Sequence, residues 1–363
     1  MRVVIAPDRF RETLSAAEAA AAIATGWRRA APDDDLVLLP LSDGSAGLVS
    51  ALGGPPEPWW LAPDGTAYVE SAQVSPVGED PGPINTLGVG ALVAAAVDAG
   101  ARRIVVGLGE VGAVDGGAGL LAGLAAAWQV EGYPAALERL GNGGAALRGV
   151  TGADLAFLPA LRERLVGVEL VGAVDVQLPL LGFKGAAAVE GPTKGADDDL
   201  VQRLDAALTD LATAVLAAAQ LSDRNVVEPG AGAGGGLGFG VLALGGRLEP
   251  GASLVARLAG LPDLLEGTNR AELVVTGEGS LDWQSLGAKV LTAVAETAQA
   301  RGVPAVAVPG QLLVGRRELL TLGVDGAYPV ARTPAEVADA LADPAGTLAA
   351  RAERVARTWS RSG

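Results

Sequence analysis

The stretch Glu272–Lys289, ELVVTGEGSLDWQSLGAK, constrains the fold more than any other part of the chain. Leu273, Val274 and Val275 form a short apolar run bounded by Gly277 and Gly279, the pattern of a strand covered on both faces. Such a strand belongs to a parallel sheet, and open α/β sheets bind ligands at the carboxyl ends of their strands. Glu278 and Asp282 then fall where the strand is expected to end and its helix to begin. Lys289 would lie about two helical turns further on. Two carboxylates, a hydroxyl from Ser280 or Ser285 and a lysine near one turn suit the holding of a metal and a phosphate. Equally, Asp282 would merely cap the helix and Lys289 would be a solvated surface charge.

The rest of the chain repeats this rhythm. Arg2 to Asp8 is an apolar strand ending in Pro7-Asp8, and Ser15 to Arg29 reads as its helix, opened by a capping box of Ser15 and Glu18. The loop between them presents Asp8, Arg9 and Arg11. Asp35 to Leu41 is a second strand, finishing at Ser42-Asp43-Gly44. Gly53 to Pro83, rich in Pro and Gly, reads as irregular β structure or a crossover between domains. Gly88 to Ala99 is helical and stops at Gly100. Arg102 to Leu108, Glu169 to Val176, Val303 to Pro309 and Gly326 to Val330 read as further strands. Asp199 to Ala219 carries Leu200, Leu204, Leu208, Leu211 and Val215 at helical spacing, which is a core face. From Pro334 the chain reads as one Ala-rich helix with alternating charges. Alternation at this spacing argues for an α/β protein with mainly parallel sheets.

The 363 residues, half of them hydrophobic, can bury one large core or two ordinary ones, and two domains are expected. Mean hydropathy is +0.35, yet no apolar run is long enough to span a bilayer. MRVVIAPD enters a strand without the apolar core of a signal peptide, so a cytoplasmic protein without membrane contact is expected. A formal charge of −15 and a pI near 4.5 repel phosphate backbones, and no basic cluster offsets them, which argues against nucleic acid as a partner. Cysteine and histidine are both absent. That removes thiol nucleophiles, Ser-His-Asp triads, disulfides and the usual zinc sites. Asp, Glu, Lys, Arg, hydroxyl groups, backbone dipoles or a hard metal must then carry any catalysis, a set that suits phosphoryl transfer.

Two glycine-rich segments stand out. Gly107 to Gly119, with Asp115 inside it, reads as a phosphate-cradling loop before a helix N-terminus or as a tightly packed strand-to-helix turn. PGAGAGGGLGFG, Pro229 to Gly240, formally contains G-x-G-x-x-G at Gly230, Gly232 and Gly235. No clear strand precedes it, so a flexible loop whose N–H groups wrap a phosphate or oxyanion is the better functional reading than a dinucleotide fingerprint. A Walker A motif is absent. Lys184 and Lys194 would be anion contacts or solvated charges.

With these residues laid out, the chain resembles the type I glycerate kinase family over almost its whole length. VVIAPDRFRETLSA is similar to the family's strand, Asp-Ser-Phe-Lys loop and Leu-Ser-Ala helix start; LPLSDGSAG to its Asp-Gly-Gly-Glu-Gly segment; and DGGAGLL, Asp115 to Leu121, to its middle glycine-rich segment. VDVQLPLLGFKGAAAVEGPTKGA, PGAGAGGGLG and TGEGSLDWQSLGAK resemble the remaining signatures, in the family's order. The resemblance implies ATP- and Mg²⁺-dependent phosphorylation of glycerate by two α/β domains with mainly parallel sheets and a ligand cleft between them. It implies a discontinuous flavodoxin/Rossmann-like domain of residues 1–80 and 285–363, with residues 81–284 inserted. The expected partner is a small hydroxy acid, and a homodimer is an allowed assembly.

Carried over position by position, the retained polar residues are Asp8, Asp43, Asp115, Asp175, Lys194, Glu278, Asp282 and Lys289. On this reading Asp175 or Asp282 orients or deprotonates the hydroxyl, Lys194 and Lys289 neutralise phosphate charge, and Glu278 with Asp115 holds Mg²⁺. Asp8, Arg11 and Asp43 contact the substrate, Arg11 through its carboxylate. Gly116 and Gly117 in the first glycine segment, with Gly232, Gly234 and Gly235 in the second, supply backbone donors to the nucleotide. Several signature groups are replaced: Arg9 for Ser, Arg11 for Lys, Ala46 for Glu, Gly112 to Val114 for a polar run, Leu178 for Asn, Ser280 for Arg, and Gly287-Ala288 before Lys289 where an Arg is usual. These departures motivate an alternative, a catalytically impaired paralogue that binds a ligand or regulates. A dinucleotide-dependent oxidoreductase ranks below both.

Overall fold

The computed structural model describes residues 1–283, 287 and 289–360. Twelve strands follow one another among these residues: β1 (Arg2–Ile5), β2 (Asp35–Leu38), β3 (Trp59–Leu61), β4 (Thr66–Glu70), β5 (Arg103–Gly107), β6 (Glu169–Val174), β7 (Arg247–Pro250), β8 (Leu273–Thr276), β9 (Ser280–Leu281), β10 (Ala305–Ala307), β11 (Gln311–Leu312) and β12 (Gly326–Ala327). The fold is α/β with mainly parallel sheets, as the sequence pattern requires. Contacts divide the chain into two units, one of residues 1–43, 50–53 and 252–363 and the other of residues 44–49 and 54–251. β3 and β4 are hydrogen-bonded into the sheet of β5, which draws residues 54–80 into the second unit. β8 lies between β1 and β10, which draws the approach to residue 285 into the first.

In the first unit the sheet order is β12-β10-β8-β1-β2, all parallel. Val3, Ile5, Leu273, Val275 and Val306 point to one core, which helices Ala16–Ala30 and Pro344–Trp359 close. Ala307 joins a second cluster with Leu291 and Ala295 of helix Val290–Gln299, so helices cover both faces. That arrangement explains why the strands read as unbroken apolar runs. The capping box of Ser15 and Glu18 is present, and Gly26 lets its helix approach Ala349 so closely that a Cβ would overlap that residue's carbonyl oxygen.

The tail is two helices, Pro334–Ala342 and Pro344–Trp359, not one. Pro344 cannot continue a helix but is favoured at its first position. Asp343 caps the second helix by accepting from Gly346 N–H at 2.9 Å.

The second unit has the sheet order β3-β4-β5-β6-β7, with only β3 antiparallel. Helix Asp198–Ala219 buries the five residues expected of its core face. Among the described residues, no helix is long and apolar enough to cross a membrane.

Candidate active site

The carboxyl ends of three neighbouring strands in the first unit gather the acidic residues. Asp8 follows β1, and its N–H donates to the Gly277 carbonyl at 2.8 Å, which prolongs the β1–β8 pairing and sets Asp8 beside the chain leading to Glu278. Leu41 N–H donates to the Pro7 carbonyl at 3.0 Å and brings the end of β2, with Asp43, to the same edge. Lys289 Nζ donates to Asp43 Oδ2 at 2.6 Å, across 246 residues of sequence. Asp43 is buried and Lys289 half-buried, so this ion pair is partly shielded from solvent.

The electrostatics of Asp8 confirm the crowding. Burial pushes its carboxyl well above the usual range, the charges of Asp43 and Glu278 push it further, and the Arg9 N–H and Lys289 only partly offset them. That N–H donates to Asp8 Oδ1 at 2.7 Å. Like charges held together at a strand end raise one another's proton affinity. Lys289 is the N-cap of helix Val290–Gln299, where the helix dipole opposes a cation; its pairing with Asp43 accounts for it there.

The stretch directly after Asp282, where a helix is expected, includes residues 284–286 and 288, which lie outside the described residues. Ser280–Leu281 pair with Gln311–Leu312 as a small parallel ladder, which carries the chain away from helical geometry before Asp282. Among the described residues the next helix begins at Val290. Lys289 therefore precedes the helix instead of lying two turns inside one. Ser285, the alternative hydroxyl, lies outside the described residues. Arg11 is exposed and adopts φ 51°, a left-handed conformation that is unusual for a side chain larger than glycine.

The second unit changes the meaning of several expected residues. Asp115 is fully buried, accepting from Thr86 N–H and hydroxyl and from the N–H groups of Gly117 and Gly119 at 2.8 to 3.2 Å. Burial raises its carboxyl and these donors pull it back. Its oxygens accept these donors at the start of helix Ala118–Ala127, so within this unit the carboxyl serves the turn. The helix N–H groups read as a phosphate cradle are engaged by the protein's own carboxylate and by the Thr86 hydroxyl, which takes Leu120 N–H at 2.9 Å.

The other glycine segment is equally interior. Pro229–Gly240 is no flexible loop. Gly234, Gly235 and Gly236, at φ 62°, 65° and 93°, make a non-helical left-handed turn, and the chain then continues as helix to Ala243, with residues 233–243 all buried. Gly116 N–H donates to the Gly235 carbonyl at 3.0 Å, and a Cβ on Gly235 would overlap the carbonyl of Ala113. Gly117 packs its backbone on Gly240, and Gly232 lies against the Pro179 carbonyl. The two segments seen as separate cradles are one backbone-to-backbone seam. Glycine is needed there because no other residue lets two backbones touch.

Lys194 is buried within the same unit, donating to the Ala113 carbonyl at 2.9 Å and paired with Glu190. Glu190 also takes Gly235 N–H at 2.7 Å, so Lys194 and Glu190 form an ion pair inside this unit. Sequence reasoning missed Glu190, although its spacing of four from Lys194 was the available signal. Asp175 stands just beyond β6, half-buried at that strand's carboxyl end.

Comparison with known proteins now decides the family. The family described as Glycerate kinase family matches residues 3–57 and 52–360. The chain belongs to the glycerate kinase family. The glycerate 2-kinase of Escherichia coli K12 is 33% identical over 357 residues, covering 91% of this chain and 90% of its own. A Mycobacterium bovis protein described as uncharacterised is 40% identical, covering 100% of this chain and 93% of its own. A crystal structure described as a candidate glycerate kinase 2 from Salmonella typhimurium LT2 superposes with a TM-score of 0.76 at 32% identity, over 99% of this chain and 98% of that one. The glycerate kinase fold thus extends across both units.

Proposed function

We propose that the protein transfers the γ-phosphoryl group of ATP to a hydroxyl of glycerate or a closely related hydroxy acid. The reading rests on one observation in a glycerate kinase family member: Asp8, Asp43 and Glu278 crowd together at the strand ends of the first unit, with Lys289 on Asp43. By likeness to the E. coli relative, named glycerate 2-kinase, the acceptor is the 2-hydroxyl.

Mg²⁺ suits this donor set. Among the described residues no three acidic side chains form a ready metal cage, but Mg²⁺ bound together with phosphates needs only one or two carboxylates, and hard oxygens are what the cluster offers. Glu278 with Asp8 or Asp43 would hold it, and its chemistry would be neutralisation of phosphate charge. Lys289 then supplies a further positive charge to the transferring phosphoryl group, and Asp282 or Asp175 orients the hydroxyl and takes its proton. The proposal gives no role to Asp115 and Lys194, whose polar atoms have partners inside the second unit.

The test is ADP release from Mg·ATP by purified protein against D-glycerate, L-glycerate and other short hydroxy acids, with the product's phosphate position read by NMR. Turnover on D-glycerate well above the ATP-only background is expected. No turnover with any acid, with glycerate still raising the melting temperature, would transfer the case to a ligand-binding paralogue shaped by the replacements at Ala46, Leu178 and Ser280.

A further inference from the structure

The helix Pro334–Ala342 has a capping box, made by Thr333 and Glu336, and an apolar stripe, Val337, Ala340 and Leu341, at the spacing of one helical face. Yet none of its residues is buried, and Leu341 is 62% exposed. A helix that turns an apolar face inward normally covers that face with core. Here the face lines a cavity of about 480 Å³, within the range of small-molecule sites, whose other walls include Phe10, Arg11, Gln311 and Leu348.

The position of this cavity is as telling as its chemistry. It is lined by the loops that follow β1, β8 and β10, at the carboxyl edge of the first unit's sheet, where doubly wound folds take their ligands. Gln311 N–H donates to the Gly279 carbonyl at 3.1 Å and Gly310 N–H to the Glu278 carbonyl at 2.9 Å. The wall is therefore continuous in sequence and hydrogen bonding with the carboxylate cluster: Gly279 adjoins Glu278, and Phe10 lies two residues from Asp8. A three-carbon hydroxy acid, polar along its whole length, has no use for this apolar volume. A purine nucleoside does, because it joins a flat apolar face to a few polar edge atoms.

We propose that this cavity seats the nucleoside end of the phosphoryl donor, with its phosphates directed to the Asp8, Asp43, Glu278 and Lys289 cluster. The assignment rests on the kinase reading above and relocates the nucleotide, since in the glycine segments first read as its cradle the N–H groups of Gly117, Gly119 and Gly235 are engaged inside the second unit. The Gln311 amide stands where it can meet the edge of a base. Arg11, on the cavity wall three residues from Asp8, serves the phosphates rather than the carboxylate of the acid substrate.

Two variants test it on the full chain, each checked for an unchanged far-UV spectrum. Ala340→Trp fills the cavity, and Leu341→Ser removes apolar wall at an exposed position that the fold does not need. The expected result is a KM for Mg·ATP raised roughly tenfold or more by Ala340→Trp, a smaller rise for Leu341→Ser, and a glycerate KM within about twofold of the parent for both. A folded Ala340→Trp that leaves the KM for Mg·ATP unchanged, or that alters only the glycerate KM, overturns the assignment. Calorimetry with adenosine and with Mg·ADP reads the same site without turnover. Binding of adenosine that Ala340→Trp abolishes supports the cavity even if no acid is phosphorylated, in which case the kinase reading alone has failed. No adenosine binding by the parent protein, or binding that survives Ala340→Trp, sinks the assignment even where turnover is found.

Discussion

Asp8 in the first unit and Asp115 in the second are both carboxylates whose proton affinity the fold raises, and burial is the first cause in each. Their neighbours are opposite in kind. Asp115 is surrounded by donors from Thr86, Gly117 and Gly119, so its charge is answered within the turn it holds. Asp8 faces Asp43 and Glu278 and is answered by one amide and a shared lysine. A buried acid with its hydrogen bonds complete belongs to the architecture. One held among other acids is kept there against the preference of the fold, which is what the proposed cation would relieve.

That contrast can be broken by exchanging each acid for its amide, and the largest expected effect is on catalysis. Glu278→Gln should lower turnover roughly 10²- to 10³-fold, measured as ADP release with glycerate, while the melting temperature does not fall because a repulsive charge has been removed. A lowered melting temperature would place Glu278 with Asp115 instead. Asp115→Asn should do the reverse. Its amide N–H₂ must face a backbone donor whichever way the group is turned, costing about 3 kcal/mol of stability by denaturant unfolding, and full stability in this variant would undo the distinction.

Gly235→Ala probes the seam without touching a charge. The added methyl meets the Ala113 carbonyl and a left-handed backbone at once, for a loss of about 2 kcal/mol and a lower urea midpoint. If the midpoint stayed put, the seam would be looser than its geometry says.

The smallest effect concerns pH. The proton affinity of Asp8 is raised above its usual 3.8, so charging it opposes folding at pH values above that figure, and the opposition disappears as pH falls through the raised folded value. The metal-free protein should therefore gain stability from Asp8→Asn at neutral pH and lose that advantage in acid. Parent and variant melting curves that keep a constant gap from pH 7 to pH 4 would refute it.

The alternating pattern of apolar runs and helix starts made the α/β class legible, because buried parallel strands show unbroken Val, Ile and Leu whatever their neighbours are. Ser15 with Glu18, and the leucines of Asp198–Ala219, could be assigned from local spacing alone. Asp8, Asp43 and Glu278 could each be placed at a strand end for the same reason. Their meeting could not, since it depends on β2, β1 and β8 lying side by side in a sheet whose order differs from the chain's. Nor could sequence decide what the glycines were for. A glycine that cradles a phosphate and one that admits a second backbone look identical in a one-dimensional chain, and only the meeting of Gly116 with Gly235, and of Gly117 with Gly240, separates them. Local periodicity is encoded within a few residues, so the sequence alone determined the elements and the kind of chemistry open to them. Which charges share a neighbourhood, and which donors remain for a ligand, depends on contacts across as many as 246 residues, and those the tertiary structure decided.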